Sequence, residues 1–244
     1  MSTQMNKNKF STFWTRRLAI VAIALLPLLT SCLDDDDNNL GEIPVAYVSF
    51  YHGSPELTSL RIEVDHRPYN TNTFDYSTYF DYGRFYTGER NFSFKSGNAA
   101  NSLLDTLVKF EADKAYSFFI SEEEDGFLPL IVEDDLDSPA AGKALMRLVH
   151  LSPDAPKVTL QIGEDEEELF ANQGYREVSD FEEVEAGRLN LNLLAAAGGE
   201  SLVSATNVNI REGRIYTLVV RGYKDSNNTA NSLSLQLVRN YPNY

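Results

Sequence analysis

The chain has 244 residues, of which 43% are hydrophobic, and it carries a formal net charge of −15. This length allows one or two domains. A surface this acidic repels phosphate backbones and anionic lipid headgroups, so the composition argues against a nucleic-acid-binding protein.

Residues 1–31 have the pattern of a secretory signal. A twelve-residue apolar stretch, residues 18–29, follows four basic residues, Lys7, Lys9, Arg16 and Arg17. A helix of that length spans about 18 Å, which is too short for a hydrocarbon layer of about 30 Å. The segment is therefore predicted to be a cleaved signal and not a membrane-spanning anchor.

The end of this segment, Leu29-Thr30-Ser31-Cys32, resembles the lipobox of bacterial lipoproteins, whose cysteine receives lipid and becomes the mature N-terminus. Cys32 is the only cysteine of the chain, so an intramolecular disulfide is excluded. Several acyl chains on one cysteine bury far more apolar surface than a single chain, which binds membranes only marginally. The resemblance implies a protein anchored to the membrane through lipid on Cys32.

Residues 32–43 contain the acidic run Asp34-Asp35-Asp36-Asp37, which is typical of a solvated tether. An acidic run directly behind a lipidated cysteine also resembles the surface-export signal of outer-membrane lipoproteins in Bacteroides-type bacteria. That resemblance implies an outer-membrane lipoprotein facing the cell surface. A periplasm-facing anchor is the alternative.

The remaining chain contains one pattern twice. Val48, Phe50 and His52 alternate with other residues, and Met146, Leu148 and His150 repeat this pattern 98 residues later. Each copy contains about seven short strands in all, without an amphipathic helix, which is typical of a β-sandwich. We predict an all-β protein of two tandem immunoglobulin-like antiparallel β-sandwich domains, residues 44–133 and 144–244. An acidic linker, residues 134–143, joins them.

Two tyrosines occupy equivalent positions in the copies. Tyr116 and Tyr216 each begin a predicted strand three residues after a turn residue, Asp113 or Gly213. This spacing resembles the tyrosine corner of immunoglobulin-like sandwiches, in which the hydroxyl bonds to the backbone a few residues upstream. An ordinary buried tyrosine is the alternative.

Residues 147–158, Arg-Leu-Val-His-Leu-Ser-Pro-Asp-Ala-Pro-Lys-Val, together with Ala186-Gly187 and Gly213-Arg214-Ile215-Tyr216-Thr217, resemble the DUF4397 family. The first copy departs from this pattern, with Gly53 in place of Leu151 and Glu56 in place of Asp154. The resemblance implies tandem domains of a surface or secreted bacterial protein. It implies no activity, because the family has none established.

The His-x-Ser-Pro stretches are the strongest candidates for chemistry. Each histidine shares the face of its strand with apolar residues, which favours a neutral structural histidine, and no catalytic motif surrounds it. We predict a structural signature, no enzyme activity, no cofactor and no metal. The signature residues are His52, Ser54, Pro55, His150, Ser152, Pro153 and Asp154. A hidden hydrolytic site near His150 and Asp154 is the alternative.

Two acidic runs, residues 122–125 and 164–168, raise the question of calcium binding. Calcium loops space their ligands alternately, whereas contiguous acids project in different directions. Solvated hairpin loops are therefore favoured.

The copies differ most in aromatic content. Phe74, Phe80 and Tyr86 align with polar residues of the second copy, and we expect them to form an exposed aromatic patch. Such a patch fits a glycan or an envelope protein and predicts a binding or adhesion module. Packing of the three rings is the alternative, and the chain is then a structural spacer or a subunit of an envelope complex.

Overall fold

The computed structural model describes residues 43–57, 59–97, 99–123 and 126–240. The predicted signal, the lipidation site Cys32 and nearly all of the acidic tether lie outside the described residues. No helix in the described ranges is long and apolar enough to cross a membrane.

The first repeat contains eight strands in two four-stranded sheets. Inner sheet 1 has the order β4-β1-β7-β8 and outer sheet 1 the order β3-β2-β5-β6. The strands are β1 (Val45–His52), β2 (Leu60–Val64), β3 (Arg67–Pro68), β4 (Tyr79–Tyr86), β5 (Gly88–Ser96), β6 (Leu104–Phe110), β7 (Ala115–Glu123) and β8 (Gly126–Asp134).

The second repeat has the same plan. Inner sheet 2 has the order β12-β9-β15-β16 and outer sheet 2 the order β11-β10-β13-β14. The strands are β9 (Lys143–His150), β10 (Val158–Ile162), β11 (Glu167–Gln173), β12 (Glu182–Glu185), β13 (Gly187–Ala195), β14 (Ser201–Ile210), β15 (Ile215–Arg221) and β16 (Ser234–Asn240). The prediction of an all-β sandwich architecture is confirmed.

Each inner sheet contains a parallel pair among otherwise antiparallel neighbours. β1 runs parallel to β7, and β9 runs parallel to β15. This four-plus-four arrangement is a variation on the four-plus-three strands of an immunoglobulin constant domain. Because β1 and β9 begin the repeats and pair with late strands, each sandwich closes only when its C-terminal part is in place.

Each repeat has its own core between its inner and outer sheets. The first core is rich in phenylalanine, with Phe50, Phe92 and Phe118 fully buried. The second is mainly aliphatic and includes Leu148 and Leu193. The same sandwich is therefore filled by rings in one copy and by branched chains in the other, as cores of matched volume permit.

The tyrosine-corner interpretation agrees with the hydrogen bonds. The Tyr116 hydroxyl accepts from the backbone N–H of Glu111 at 3.3 Å, and the Tyr216 hydroxyl accepts from that of Arg211 at 3.1 Å. Both partners lie five residues upstream, in the turn before the strand. These bonds hold the turn against the strand in each repeat.

The two inner sheets pack against each other and form a third core. It buries Tyr51, Phe119, Val149, Leu151, Val219 and Val238. The layers therefore follow in the order outer sheet 1, inner sheet 1, inner sheet 2, outer sheet 2. Strands of the inner sheets are consequently covered on both faces, as seen in the uninterrupted burial of Ala115–Ser121 in β7.

Candidate functional site

His150 lies at the end of β9 and is completely buried. Its Nδ1 accepts from the backbone N–H of Ser152 at 3.2 Å, and its Nε2 lies 3.1 Å from the carbonyl oxygen of Pro156. Only a neutral ring protonated at Nε2 satisfies both partners. Burial lowers the pKa of His150, which also favours the neutral form. Both ring nitrogens are thus used to hold the turn.

The other signature residues of the second repeat hold the same turn. The Asp154 carboxylate accepts from the backbone N–H groups of Lys224 and Asp225 at 2.7 and 3.0 Å, and from the Ser152 hydroxyl at 3.4 Å. Pro153 lies between them and is half-buried. Ser152 and His150 are not arranged as a nucleophile and a base that share a cavity, because the Ser152 hydroxyl is buried and donates to Asp154.

The first repeat uses its signature differently. His52 is completely buried, and its ring centroid lies 5.3 Å from that of Phe74. Ser54, also buried, donates to Oε1 of Glu122 at 2.8 Å. Pro55 follows in the turn and is half-buried. The two histidines are placed alike, whereas the serine–carboxylate contacts differ.

Glu122 joins the two repeats at this end of the molecule. Besides Ser54, the hydroxyl of Tyr223 donates to its carboxylate at 2.6 Å, and the hydroxyl of Tyr175 donates to its backbone carbonyl at 2.7 Å. Burial raises the pKa of Tyr175 to about 12 and also raises that of Tyr223. This carboxylate therefore serves as an acceptor for neutral hydroxyls. Among the described residues, no group of three or more acidic, histidine or cysteine side chains could hold a metal.

A buried polar cluster lies between the inner sheets. Arg147 is 2% exposed, and its Nη1 forms an ion pair with Asp134 at 2.5 Å. Its Nη2 donates to the Ser117 hydroxyl at 2.9 Å and its Nε to the Thr217 hydroxyl at 3.0 Å. The guanidinium also lies 4.5 Å from the ring centroid of Phe181. Three N–H groups of Arg147 thus have hydrogen-bond partners in this cluster, and its ion pair with Asp134 joins the two repeats.

This cluster is asymmetric although the repeats are related. Arg147 of the second repeat is equivalent to Ser49 of the first. Asp134 is equivalent to Asn240, because Asp134 ends β8 and Asn240 ends β16, each paired with the first residue of the neighbouring strand, β7 or β15. The same holds for Gly53, where an added Cβ would lie 2.5 Å from Cδ1 of Leu151. Glycine at position 53, where the second repeat has Leu151, thus leaves space for the Leu151 side chain.

The prediction of an exposed patch of Phe74, Phe80 and Tyr86 is wrong as a group. Phe74 is completely buried and stacks on the half-buried Phe80 at a centroid distance of 4.7 Å. Only Tyr86 is freely exposed, at 60%. Polarity at the aligned positions failed as a guide because Phe74 fills the space between His52 and Phe80, an arrangement that the second repeat lacks.

Phe80 instead contributes to a shallow groove beside β4, with a cavity volume of about 320 Å³. The groove combines aromatic walls with a polar rim. The wall residues are Tyr69, Tyr79 and Phe80, and the rim residues are Asn70, Thr71, Asn72 and Asp81. The comparison of the two copies did not identify the rim, since only the fold brings residues 69–72 to residues 79–81.

The groove is held in shape by local bonds. The Asn70 side chain accepts from the N–H of Ile62 at 2.7 Å and donates to the carbonyl oxygen of Asn72 at 2.8 Å. Asp81 accepts from the N–H of Tyr82 at 2.9 Å. Gly83 leaves room for Tyr69, because an added Cβ would lie 2.6 Å from its hydroxyl. The rim loop and the strand are therefore fixed before any ligand arrives.

Two further grooves have a different chemistry. One, of about 410 Å³, lies at the linker and is lined by several carboxylates, including Asp135, Asp137 and Asp180. The other, of about 350 Å³, lies on outer sheet 2 and is lined mostly by amides, hydroxyls and two glutamates. Of these three, the groove beside β4 alone offers several aromatic side chains in contact with amide and carboxylate groups.

Comparison with solved structures finds proteins of low similarity. A leucine-rich repeat protein from Bacteroides thetaiotaomicron is 12% identical, with a TM-score of 0.20; the match covers 73% of this chain and 26% of that one. The chain thus spans about a quarter of that protein. The family 26 carbohydrate-binding module of Eubacterium rectale Amy13K, solved with maltoheptaose, is 12% identical with a TM-score of 0.25, covering 81% and 98%.

A protein proposed to be an adhesin from Bacteroides ovatus is 11% identical with a TM-score of 0.24, covering 80% of this chain and 93% of the other. No curated protein is detectably similar in sequence. Residues 46–161, which span all but the first residue of the first repeat's strands and continue through β9 into β10, match DUF4397, a domain of unknown function.

Proposed function

We propose that this chain is a non-enzymatic, lipid-anchored envelope protein whose paired sandwiches bind a carbohydrate in the groove beside β4. The observation that carries the binding role is the meeting of aromatic walls and a fixed amide and carboxylate rim in that groove. The lipobox resemblance at Cys32 supports the anchor, and the acidic run behind it supports display on the outer surface of the cell.

Sugars suit this groove for chemical reasons. The apolar face of a pyranose ring packs on aromatic side chains, while its hydroxyls both donate and accept hydrogen bonds. Phe80 is backed by Phe74 and presents a ring of fixed orientation. Asn72 and Asp81 are exposed at the rim and supply polar partners. A neutral sugar also avoids the repulsion that the acidic surface exerts on anions.

The absence of enzyme activity is part of the proposal and rests on the signature turns. His150 uses both ring nitrogens on backbone groups, and Asp154 accepts from two backbone N–H groups. A general base needs an available lone pair within reach of a substrate proton. The His150→Ala variant should therefore lose stability, and the wild-type chain should be inactive in hydrolase screens.

A glycan array probed with the full chain tests the binding role. Phe80→Leu keeps apolar packing on Phe74 but removes the flat ring, and Asp81→Ala removes a rim carboxylate; both should abolish or strongly weaken any signal. Tyr86→Ala is the matched control, because it removes an exposed aromatic side chain outside the groove. A blank array, or equal losses in all three variants, would refute the proposal.

The anchor has its own test. Cys32→Ser should move the chain from the membrane fraction to the soluble fraction. Protease treatment of intact cells should remove the sandwiches if they face outward and spare them if they face the periplasm.

One observation favours a second function, a rigid spacer or a subunit of an envelope complex. The inner sheets bury the Arg147–Asp134 ion pair and an apolar core between the repeats. Such an interface fixes the distance between the ends of the molecule without requiring any small ligand. The blank glycan array described above, together with an unchanged fold, is the outcome that supports this function.

A further inference from the structure

Within the described residues, the two sandwiches leave eight strands at sheet edges, and one of them differs from the others. Seven edge strands carry at least one charged residue, and two of these also contain proline. They are β3, β4, β6, β8, β11, β12 and β16. The eighth is β14, Ser-Leu-Val-Ser-Ala-Thr-Asn-Val-Asn-Ile, which has neither charge nor proline.

Edge strands present unpaired backbone N–H and C=O groups, and proteins normally protect them with charges, prolines or short lengths. β14 has ten residues and is the longest of the sixteen strands in the described part of the chain. Its hydrogen-bonded neighbour is β13, on one side. On its other side, the described residues provide no strand partner. In a chain with net charge −15, β14 lacks the charge or proline that each of the other seven edges carries, and its register against β13 shifts at two places, between Leu189 and Leu191 and between Leu193 and Leu194.

The side chains of β14 suit pairing with an identical strand. Val203, Ala205 and Val208 are half-buried against the second core, whereas Ser204 and Thr206 are exposed. An antiparallel copy would bring hydroxyls opposite small polar residues, and such cross-strand pairs are favourable. It would bring no like charges together at the strand itself. Pairing through any of the other seven edges would bring charged side chains into the contact.

We propose that β14 is a self-association edge, through which two copies of this chain pair antiparallel and join their outer sheets into one eight-stranded sheet. The contact is isologous, since the same edge is used on both molecules, and it closes at two copies. The groove beside β4 lies in the other repeat and remains open in the pair. Pairing through β14 does not depend on carbohydrate binding in that groove.

The pairing should be weak in solution. Two ten-residue strands meet over a length on the order of 33 Å. Such an edge-to-edge contact buries less surface than the interfaces of about 1,200–2,000 Å² found in stable complexes. We therefore expect a concentration-dependent dimer of the full chain, measured by sedimentation velocity in mild detergent over a wide range of protein concentration.

The variant Ser204→Glu with Thr206→Glu places like charges opposite one another and should weaken the dimer at least tenfold. The matched control, Leu103→Glu with Leu107→Glu, adds the same charge at exposed positions, 49% and 70%, beside or within edge strand β6. It should leave the dimer unchanged. Circular dichroism of both variants checks that the fold is kept.

Single cysteines locate the contact. Placed in turn at Ser201, Ser204, Thr206 and Asn209, they should cross-link most efficiently at the positions nearest the two-fold axis, against the background of a chain with Cys32 alone. A chain that stays monomeric up to about 1 mM, the weak end of specific association, would overturn the proposal. So would a dimer weakened equally by both charge variants, or cross-linking without a maximum along β14.

Discussion

The Arg147–Asp134 pair offers the most direct test of what holds the repeats together. The two side chains are 3% and 0% exposed and lie 2.5 Å apart. Arg147→Ala removes the cation and leaves the Asp134 carboxylate in the interface with only the hydroxyls of Ser117 and Tyr82 as donors. Breaking a buried pair in this way costs about 3–5 kcal/mol of the free energy of unfolding, because an unpaired charge stays buried.

The same reasoning predicts a smaller loss when both charges are removed. In Arg147→Met with Asp134→Asn, the amide still accepts from the two hydroxyls and no charge is left unpaired. Buried ion pairs are often replaced at little cost, since their desolvation penalty is lost with them. The double variant should therefore be more stable than Arg147→Ala, although it carries one more substitution.

Urea unfolding followed by far-UV circular dichroism measures these differences. Lys143→Ala is the control on the same strand; its partner Glu185 is 71% exposed, and we expect no measurable loss. A loss below about 1 kcal/mol for Arg147→Ala would refute the reasoning, because it would mean that water reaches Asp134 or that the repeats separate easily.

Three further predictions follow from individual positions. Gly53→Ala should destabilise the chain by about 1–3 kcal/mol in urea titrations, because the new methyl group presses on Leu151 and on the backbone carbonyl of Ile120; the double variant Gly53→Ala with Leu151→Ala should lose less stability than the sum of the two single losses. Phe74→Ala should cost about 3–5 kcal/mol, whereas Tyr86→Ala should stay within about 0.5 kcal/mol; comparable losses would contradict the assignment of core and surface. Burial lowers the pKa of His150 below the ordinary 6.5, so the unfolded chain binds more protons at this residue than the folded chain does. The stability that the neutral ring contributes is therefore complete above pH 6.5 and falls as the pH decreases below 6.5. The difference in stability between wild type and His150→Gln should accordingly shrink between pH 7 and pH 5, and a constant difference would contradict the prediction.

Periodicity predicted the strands well where one face meets the core. Leu60 and Ile62 alternate with exposed or half-buried neighbours and are buried as expected. The repeat also predicted equivalent strands, since β9 and β10 begin and end 98 residues after β1 and β2. In β1, however, Ser49 and Tyr51 are buried as well, because the second repeat covers their face. A local pattern cannot show which other sheet covers a strand.

The site was harder to predict for the same reason. Comparison of the copies identified Phe80, but it grouped that ring with the buried Phe74, because alignment records residue type and not the space around it. Arg147 aligns with a serine and was not singled out. Its role depends on Asp134, which belongs to the other repeat and meets it only in the folded molecule.

The interface between the inner sheets also sets the order in which the chain can complete its fold. Tyr51 in β1 donates to the side chain of Gln236 in β16, a partner 185 residues later in the sequence. During synthesis from the N-terminus, one apolar sheet face of the first sandwich therefore stays at least partly uncovered until the last strand has emerged. Contacts at such separation slow folding and lengthen that exposure. The second repeat thus covers an apolar face of the first, and a chain truncated before β16 should aggregate through that face.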